Sequence, residues 1–176
     1  LETVKAEDSI RGYERTSSMS DRRNYEGHRV IGAINGDFYG TGGIPIGAQI
    51  IQGTVLKAPY SRSVFAMDIN KKPYIDVLSF SGQLIAANDT VIEITKINTE
   101  RLSDNLISYN SYYGTTSQTN YWGTEIIAHY IDNQVDVNTS RMLVVINKDS
   151  IMTSGHGNNL IPNNGLILSG HGISAE

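Results

Sequence analysis

The chain has no cysteine, which excludes disulfides, thiol nucleophiles and thiolate metal sites. That absence leaves the compartment open, because an oxidising location permits disulfides without requiring them. No apolar run approaches the roughly 20 residues that a membrane-spanning helix needs, so no membrane span is expected. Charge is scarce: charged residues make up 18% of the chain and the formal net charge is −4, with no basic surplus to draw nucleic acid or an anionic membrane. Phe and Trp are few, 3 and 1, against 10 Tyr. Tyrosine rings both pack and hydrogen-bond, which suits a carbohydrate ligand and equally suits a buried strand. The four histidines, His28, His129, His156 and His171, have neither the i,i+4 helical pairing nor the cysteine partners of a zinc site. Neither a Gly-x-Ser-x-Gly elbow nor a Walker-type phosphate loop occurs.

What is present is the size and composition of one ordinary domain. The 176 residues, 39% of them hydrophobic, suffice to bury roughly two thirds of the unfolded surface. The most informative stretch is Val30-Ile31-Gly32-Ala33-Ile34-Asn35-Gly36-Asp37-Phe38-Tyr39-Gly40, followed by Thr41-Gly42-Gly43-Ile44-Pro45-Ile46-Gly47. Its apolar, β-branched start predicts a buried strand. The strand would end in an amide and a carboxylate, with glycines beyond that let backbone approach a ligand. The same residues also suit a plain chain reversal.

Short β elements dominate the rest. Residues 15–26 are polar and predict a short surface helix within a polar lead-in over residues 1–28. Residues 48–51 and 54–57 flank Gln52-Gly53 as a hairpin, and residues 63–69 and 74–80 form another around Asn70-Lys71-Lys72-Pro73. Ile92-Glu93-Ile94-Thr95 alternates with period two, as a strand with one face in the core does. Residues 98–122 read as a long polar loop broken only by Leu106-Ile107-Ser108-Tyr109, a length that points to function or mobility. Strand character returns at 123–131 and 141–146, linked by residues 132–140. Residues 165–170 read as a strand, followed by a glycine turn and a Ser-Ala-Glu that opens a helical turn.

Carboxylates are the leading candidates for chemistry. Asp37 lies in the opening loop and Glu125 at the start of the 123–131 strand. In one cleft they could form the acid/base or nucleophile pair of glycoside hydrolysis, which needs carboxyl groups about 5 to 10 Å apart. Each could instead be a turn or strand-edge carboxylate bonded to backbone amides. Arg62 and Arg101 are the cations suited to an anionic substrate, through bidentate contact with phosphate or carboxylate; a solvated arginine, or one paired with Glu100, is the plainer alternative. His171, in Ser169-Gly170-His171-Gly172, sits in a glycine turn at a strand end and is a candidate on those grounds, whereas His129 reads as a partly buried strand histidine.

The order Ala33-Ile34-Asn35-Gly36-Asp37-Phe38-Tyr39, Gly43-Ile44-Pro45-Ile46-Gly47, Gln52-Gly53, residues 98–101, Tyr112-Tyr113-Gly114, residues 119–125 and Ile167-Leu168-Ser169-Gly170-His171-Gly172 resembles the phosphodiester glycosidase family over about residues 29–176. The resemblance implies an α+β fold, here a β-rich mixed-sheet domain with few short helices. It implies hydrolysis of a sugar-1-phosphodiester bond in a glycan or cell-wall polymer, with no required metal or organic cofactor and a bacterial location that is secreted, periplasmic or at the cell surface. Asp37 and Glu125 carry over as catalytic candidates; Asn35, Arg62, Arg101, Gly170 and His171 carry over as substrate-binding candidates. The family's later Arg-Thr-Ala segment and terminal Asn-Leu-Asp-Gly-Gly-Gly-Ser signature do not occur in these residues. We therefore expect the N-terminal portion of a larger domain, inactive alone, whose C-terminal half is supplied elsewhere or as a second chain. The same reading expects the 165–170 strand to lack neighbours. A non-catalytic carbohydrate-binding or cell-surface module on the same scaffold is the alternative.

Overall fold

The computed structural model describes residues 1–51, 53–131, 143–144, 151–152 and 157–175. The chain is α+β, with a mixed sheet and few short helices. A 3₁₀ turn at Ala6–Asp8 precedes α1 (Thr16–Arg23), which matches the predicted surface helix and buries none of its residues. Arg22 and Arg23 hold α1 to the segment before it through Asp8 and Glu14, with Arg22 2.6 Å from Asp8 and 2.8 Å from Glu14. The polar lead-in is nonetheless tied to the core, because Ile10 is buried and its N–H bonds the Tyr112 carbonyl.

Three hairpins follow: β1 (Gln49–Ile51) with β2 (Thr54–Lys57), β3 (Ser63–Met67) with β4 (Pro73–Val77), and β5 (Gly82–Ile85) with β6 (Val91–Ile94). The first two fall where turn residues separate apolar runs, and β6 is the alternating Ile-Glu-Ile segment. The larger sheet is built from β7 (Lys96–Ile97), β8 (Leu106–Asn110), β9 (Thr124–Tyr130), β10 (Leu143–Val144), β11 (Ile151–Met152) and β12 (Gly165–Gly170). Its order is β10-β9-β12-β8-β7, with β11 pairing the other end of β9's outer side. Only the β7–β8 pair in this sheet is parallel among the described strands.

Alternation along these strands explains why the sheet is buried on both faces. Ile107, Tyr109, Ile127 and Ile167 face one cluster with Ile10, Leu56, Tyr113 and Ile161, whereas Leu106, Ala128, Leu166 and Leu168 face the other with Leu84 and Ile94. Ile107 and Ile167 are fully buried, so truncating either to alanine costs about 2–5 kcal/mol. Asn98 locks the first hairpin to this sheet: its amide bonds the Leu56 carbonyl at 2.9 Å and the Asn110 side chain at 2.8 Å, and its Oδ1 accepts from the Asn110 N–H.

Three expectations are corrected. Residues 30–34 form no strand; Ile31 and Ile34 are 96% and 88% exposed. Apolar pattern alone does not make a strand without a neighbour to take its hydrogen bonds. Residues 98–122 are not one long loop, because β8 within them is a buried member of the sheet. Its apolar residues are few, but flanking strands cover both of its edges. Finally, β12 does not lack neighbours: it pairs β8 on one side and β9 on the other, and all of it is buried. The 132–140 link and most of the expected 141–146 strand lie outside the described residues. The glycine turn after β12 leads into a 3₁₀ helix, Gly172–Ala175, where a helical turn was expected.

Candidate functional site

All the candidate residues except His171 fall into two separate groups. The first is a cleft of about 210 Å³ between the loop after residue 34 and the start of β3, lined by Asn35, Asp37, Phe38, Gly47, Arg62 and Val64 among others. Asp37 is fixed by backbone. Its Oδ2 accepts from the Gly47 N–H at 2.6 Å and its Oδ1 from its neighbour's N–H, that of Phe38, at 2.8 Å. The loop between them closes on itself through Phe38 O with Ile46 N–H and Gly40 N–H with Ile44 O. Position 47 must be glycine for this geometry, since a Cβ there would lie 2.9 Å from Asp37 Oδ2.

Arg62 reaches the same carboxylate from the other wall, 3.9 Å from Oδ1, with its guanidinium 5.3 Å from the centre of the Phe38 ring. Both side chains keep solvent access, 39% for Arg62 and 23% for Asp37. An accessible guanidinium stacked on a ring beside a fixed carboxylate and the Asn35 amide can hold an anionic group while the carboxylate faces the neighbouring atoms.

The second group is internal. Glu125 is fully buried on β9, opposite Ser169 in the β9–β12 register. Its carboxylate accepts from Thr119 Oγ1 at 2.6 Å, Asn159 Nδ2 at 2.6 Å, Ser169 Oγ at 2.9 Å, Ser117 Oγ at 3.2 Å and the Asn159 N–H at 3.3 Å. Burial pushes this carboxyl up, but the hydroxyl and amide donors together outweigh it and hold the group below the usual carboxylate range. Ser169 Oγ in turn accepts from Arg101 at 2.7 Å. Arg101 also donates to Asn120 Oδ1 and to the carbonyls of Asn120, Trp122 and Gly170. Desolvation lowers the pKa of this buried guanidinium, partly offset by Glu125.

Asn35, Asp37 and Arg62 are therefore brought together, whereas Glu125, Arg101 and Gly170 belong to the sheet interior and do not line the cleft. Glu125 and Arg101 have the partners of structural groups: both Glu125 oxygens and both terminal nitrogens of Arg101 are bonded inside the protein. Gly170 is a close-approach position, where a Cβ would lie 1.7 Å from the Ser174 carbonyl oxygen. His171 lies beyond β12 with its N–H bonded to Asn105 O at 3.2 Å, and is not among the cleft residues. The partners of Glu125 escaped the sequence reading. Ser117, Thr119 and Asn159 look like ordinary loop polars, and only the buried strand position of Glu125 signals that some polar set must surround it.

Comparison with known proteins adds a fold likeness. No family model matches the chain, and no curated protein matches it. A solved structure described as "Crystal structure of a hypothetical protein from Synechocystis" is similar to it, with a TM-score of 0.53 and 17% identity over 78% of this chain. The chain spans 24% of that structure's length.

Proposed function

We propose that the cleft between residues 35–38 and Arg62 is a carbohydrate-phosphate site, and that the protein is part of a phosphodiester glycosidase hydrolysing a sugar-1-phosphodiester bond. The observation that carries this is the meeting of Asn35, Asp37 and Arg62 in one open cleft. The two non-bridging oxygens of a phosphodiester share a negative charge that a guanidinium can grip. The sugar carbon that loses the phosphate becomes oxocarbenium-like, and a fixed carboxylate stabilises or traps it. Asp37 takes that role in the proposal, Arg62 takes the phosphate, and Asn35 takes a sugar hydroxyl. Glu125 has no part in the chemical step. The second carboxyl group of a hydrolytic pair, where one is needed, comes from elsewhere than the described residues.

A binding module without turnover is the second reading, favoured by Asp37 being the one carboxylate that lines the cleft among the described residues. Incubating the intact gene product with a sugar-1-phosphodiester and with the matching neutral methyl glycoside separates the two. Release of free sugar from the phosphodiester, lost in Asp37→Asn, supports the enzyme. Binding without release supports the module, and neither binding nor release removes the proposed site.

A further inference from the structure

Arg62 stands in the cleft with its hydrogen bonds unspent. Among the described residues its guanidinium makes two contacts, with the Asp37 carboxylate at 3.9 Å and with the Phe38 ring, whose centre lies 5.3 Å away. The first is an ion pair too long for a hydrogen bond. Both Asp37 oxygens already accept from the backbone, from the Gly47 N–H at 2.6 Å and the Phe38 N–H at 2.8 Å. Arg101 is the opposite case: it is buried, and both of its terminal nitrogens donate to protein oxygens.

The Phe38 ring is the contact that can hold Arg62 without using it up. A cation is drawn over an aromatic ring by the ring's quadrupole, which needs no acceptor atom and so leaves N–H donors for a ligand. Phe38 is itself pinned: its N–H donates to Asp37 and its carbonyl accepts from the Ile46 N–H at 3.0 Å, so both of its backbone groups are bonded within the loop that carries Asp37. At the other wall the Arg62 N–H bonds the Tyr60 carbonyl at 2.6 Å, which fixes where that side chain starts. Phe38 is 69% exposed, so its ring adds little to the core.

We propose that Phe38 is a positioning residue for anion binding in the cleft: its backbone sets Asp37, and its ring sets the Arg62 guanidinium beside it with donors free for the two non-bridging oxygens of a phosphodiester. The inference rests on the sugar-phosphate reading of the cleft and adds to it the residue that keeps the cation in place. Without the ring the arginine keeps its charge but spreads over more rotamers, and the competent one is populated less. An exposed cation–ring contact corresponds to a factor of about 2 to 5 in that population. The same factor enters the affinity for an anionic ligand, and none enters that for a neutral one.

Titration calorimetry on the intact gene product tests it. The anionic probe is the monomethyl ester of glucosylmethylphosphonate, uncleavable because a methylene group replaces the glycosidic oxygen; the neutral probe is methyl glucoside. Phe38→Leu should weaken binding of the phosphonate by about 2- to 5-fold and leave the glucoside unchanged, whereas Phe38→Tyr, which keeps the ring, should bind both as the parent does. In an Arg62→Ala background Phe38→Leu should change nothing. Where Phe38→Leu fails to fold, Phe38→Met replaces it with the same expectation. A parent that binds the phosphonate no better than the glucoside removes the sugar-phosphate reading and this inference with it. A parent that prefers the phosphonate, with Phe38→Leu unchanged or weakened equally for both probes, overturns the role of Phe38 alone, as does a loss that persists without Arg62.

Discussion

Replacing Glu125 with glutamine tests whether this carboxylate belongs to the fold or to the chemistry. The substitution keeps the shape but exchanges an oxygen that accepts for a nitrogen that donates, in a place where Thr119, Ser117, Ser169 and Asn159 all donate. Some hydroxyls can rotate to accept. The Asn159 backbone N–H cannot, and its side-chain amide accepts only by flipping. Charge-assisted hydrogen bonds contribute about 1.5–3 kcal/mol each, and breaking up a buried ionic set costs about 3–5 kcal/mol. For a chain of this size, about 3 kcal/mol or more lowers Tm by about 6 °C or more. Urea or thermal unfolding of the variant should show that loss, and its rate per folded molecule should stay near that of the parent. A stability change below about 1 kcal/mol would refute the buried-network argument. Unimpaired stability with a rate loss of about 100-fold would return Glu125 to the catalytic set.

The same network fixes a pH dependence: the folded pKa of Glu125 lies below its unfolded value, so its stabilisation is complete above the unfolded pKa and is lost as pH falls through the folded one; urea midpoints taken downward from pH 6 should fall more steeply for the parent than for Glu125→Gln. Lys5 works in the opposite range, since burial lowers it to about 8 while its ammonium bonds Gln49. Its folded pKa is below the unfolded one, so the unfolded state holds the proton more tightly and stability rises with pH from about 8 upward. Lys5→Met should flatten that rise and stabilise the protein at pH 7 by about 1–3 kcal/mol, as read by parallel denaturation at pH 7 and 9.5. Arg62→Lys should change unfolding by under about 1 kcal/mol, because the pair with Asp37 is long and partly open to solvent, yet weaken binding of a sugar phosphodiester more than of a neutral sugar in titration calorimetry; equal losses would remove the phosphate role. Gly123→Ala should destabilise by about 2 kcal/mol or more, because φ there is +127° and a Cβ would lie 2.1 Å from the Gly170 carbonyl oxygen; unchanged denaturation would show that the β9–β12 approach can relax.

Local chemistry made much of the fold legible. Turn residues between short apolar runs located β1 to β4, and alternation located β6. Where partners decide, pattern failed in both directions. Ile31 and Ile34 are as apolar as any strand yet stand in water, whereas Leu106-Ile107-Ser108-Tyr109, set in polar sequence, became a strand buried on both faces. The site divided for the same reason. Asn35, Asp37 and Arg62 meet because a glycine loop folds back locally and one hairpin lies across it. Glu125 reads identically in sequence, as a carboxylate at a strand start. Its fate was set by Ser169 and Asn159, which arrive from far along the chain.

This division has a mechanical consequence. Arg101 and Glu125 do not touch the cleft, but together they hold the 117–123 segment against β9 and β12, Arg101 through the Asn120 and Trp122 carbonyls and Glu125 through Ser117 and Thr119. They stiffen the sheet end of the molecule, with its two buried faces. The cleft instead hangs on one carboxylate bonded to its own loop and on a two-stranded hairpin. Preorganisation of an oxyanion or phosphate contact requires side chains held to within about 0.5 Å, and local bonds of this kind position Asp37 better than they position Arg62.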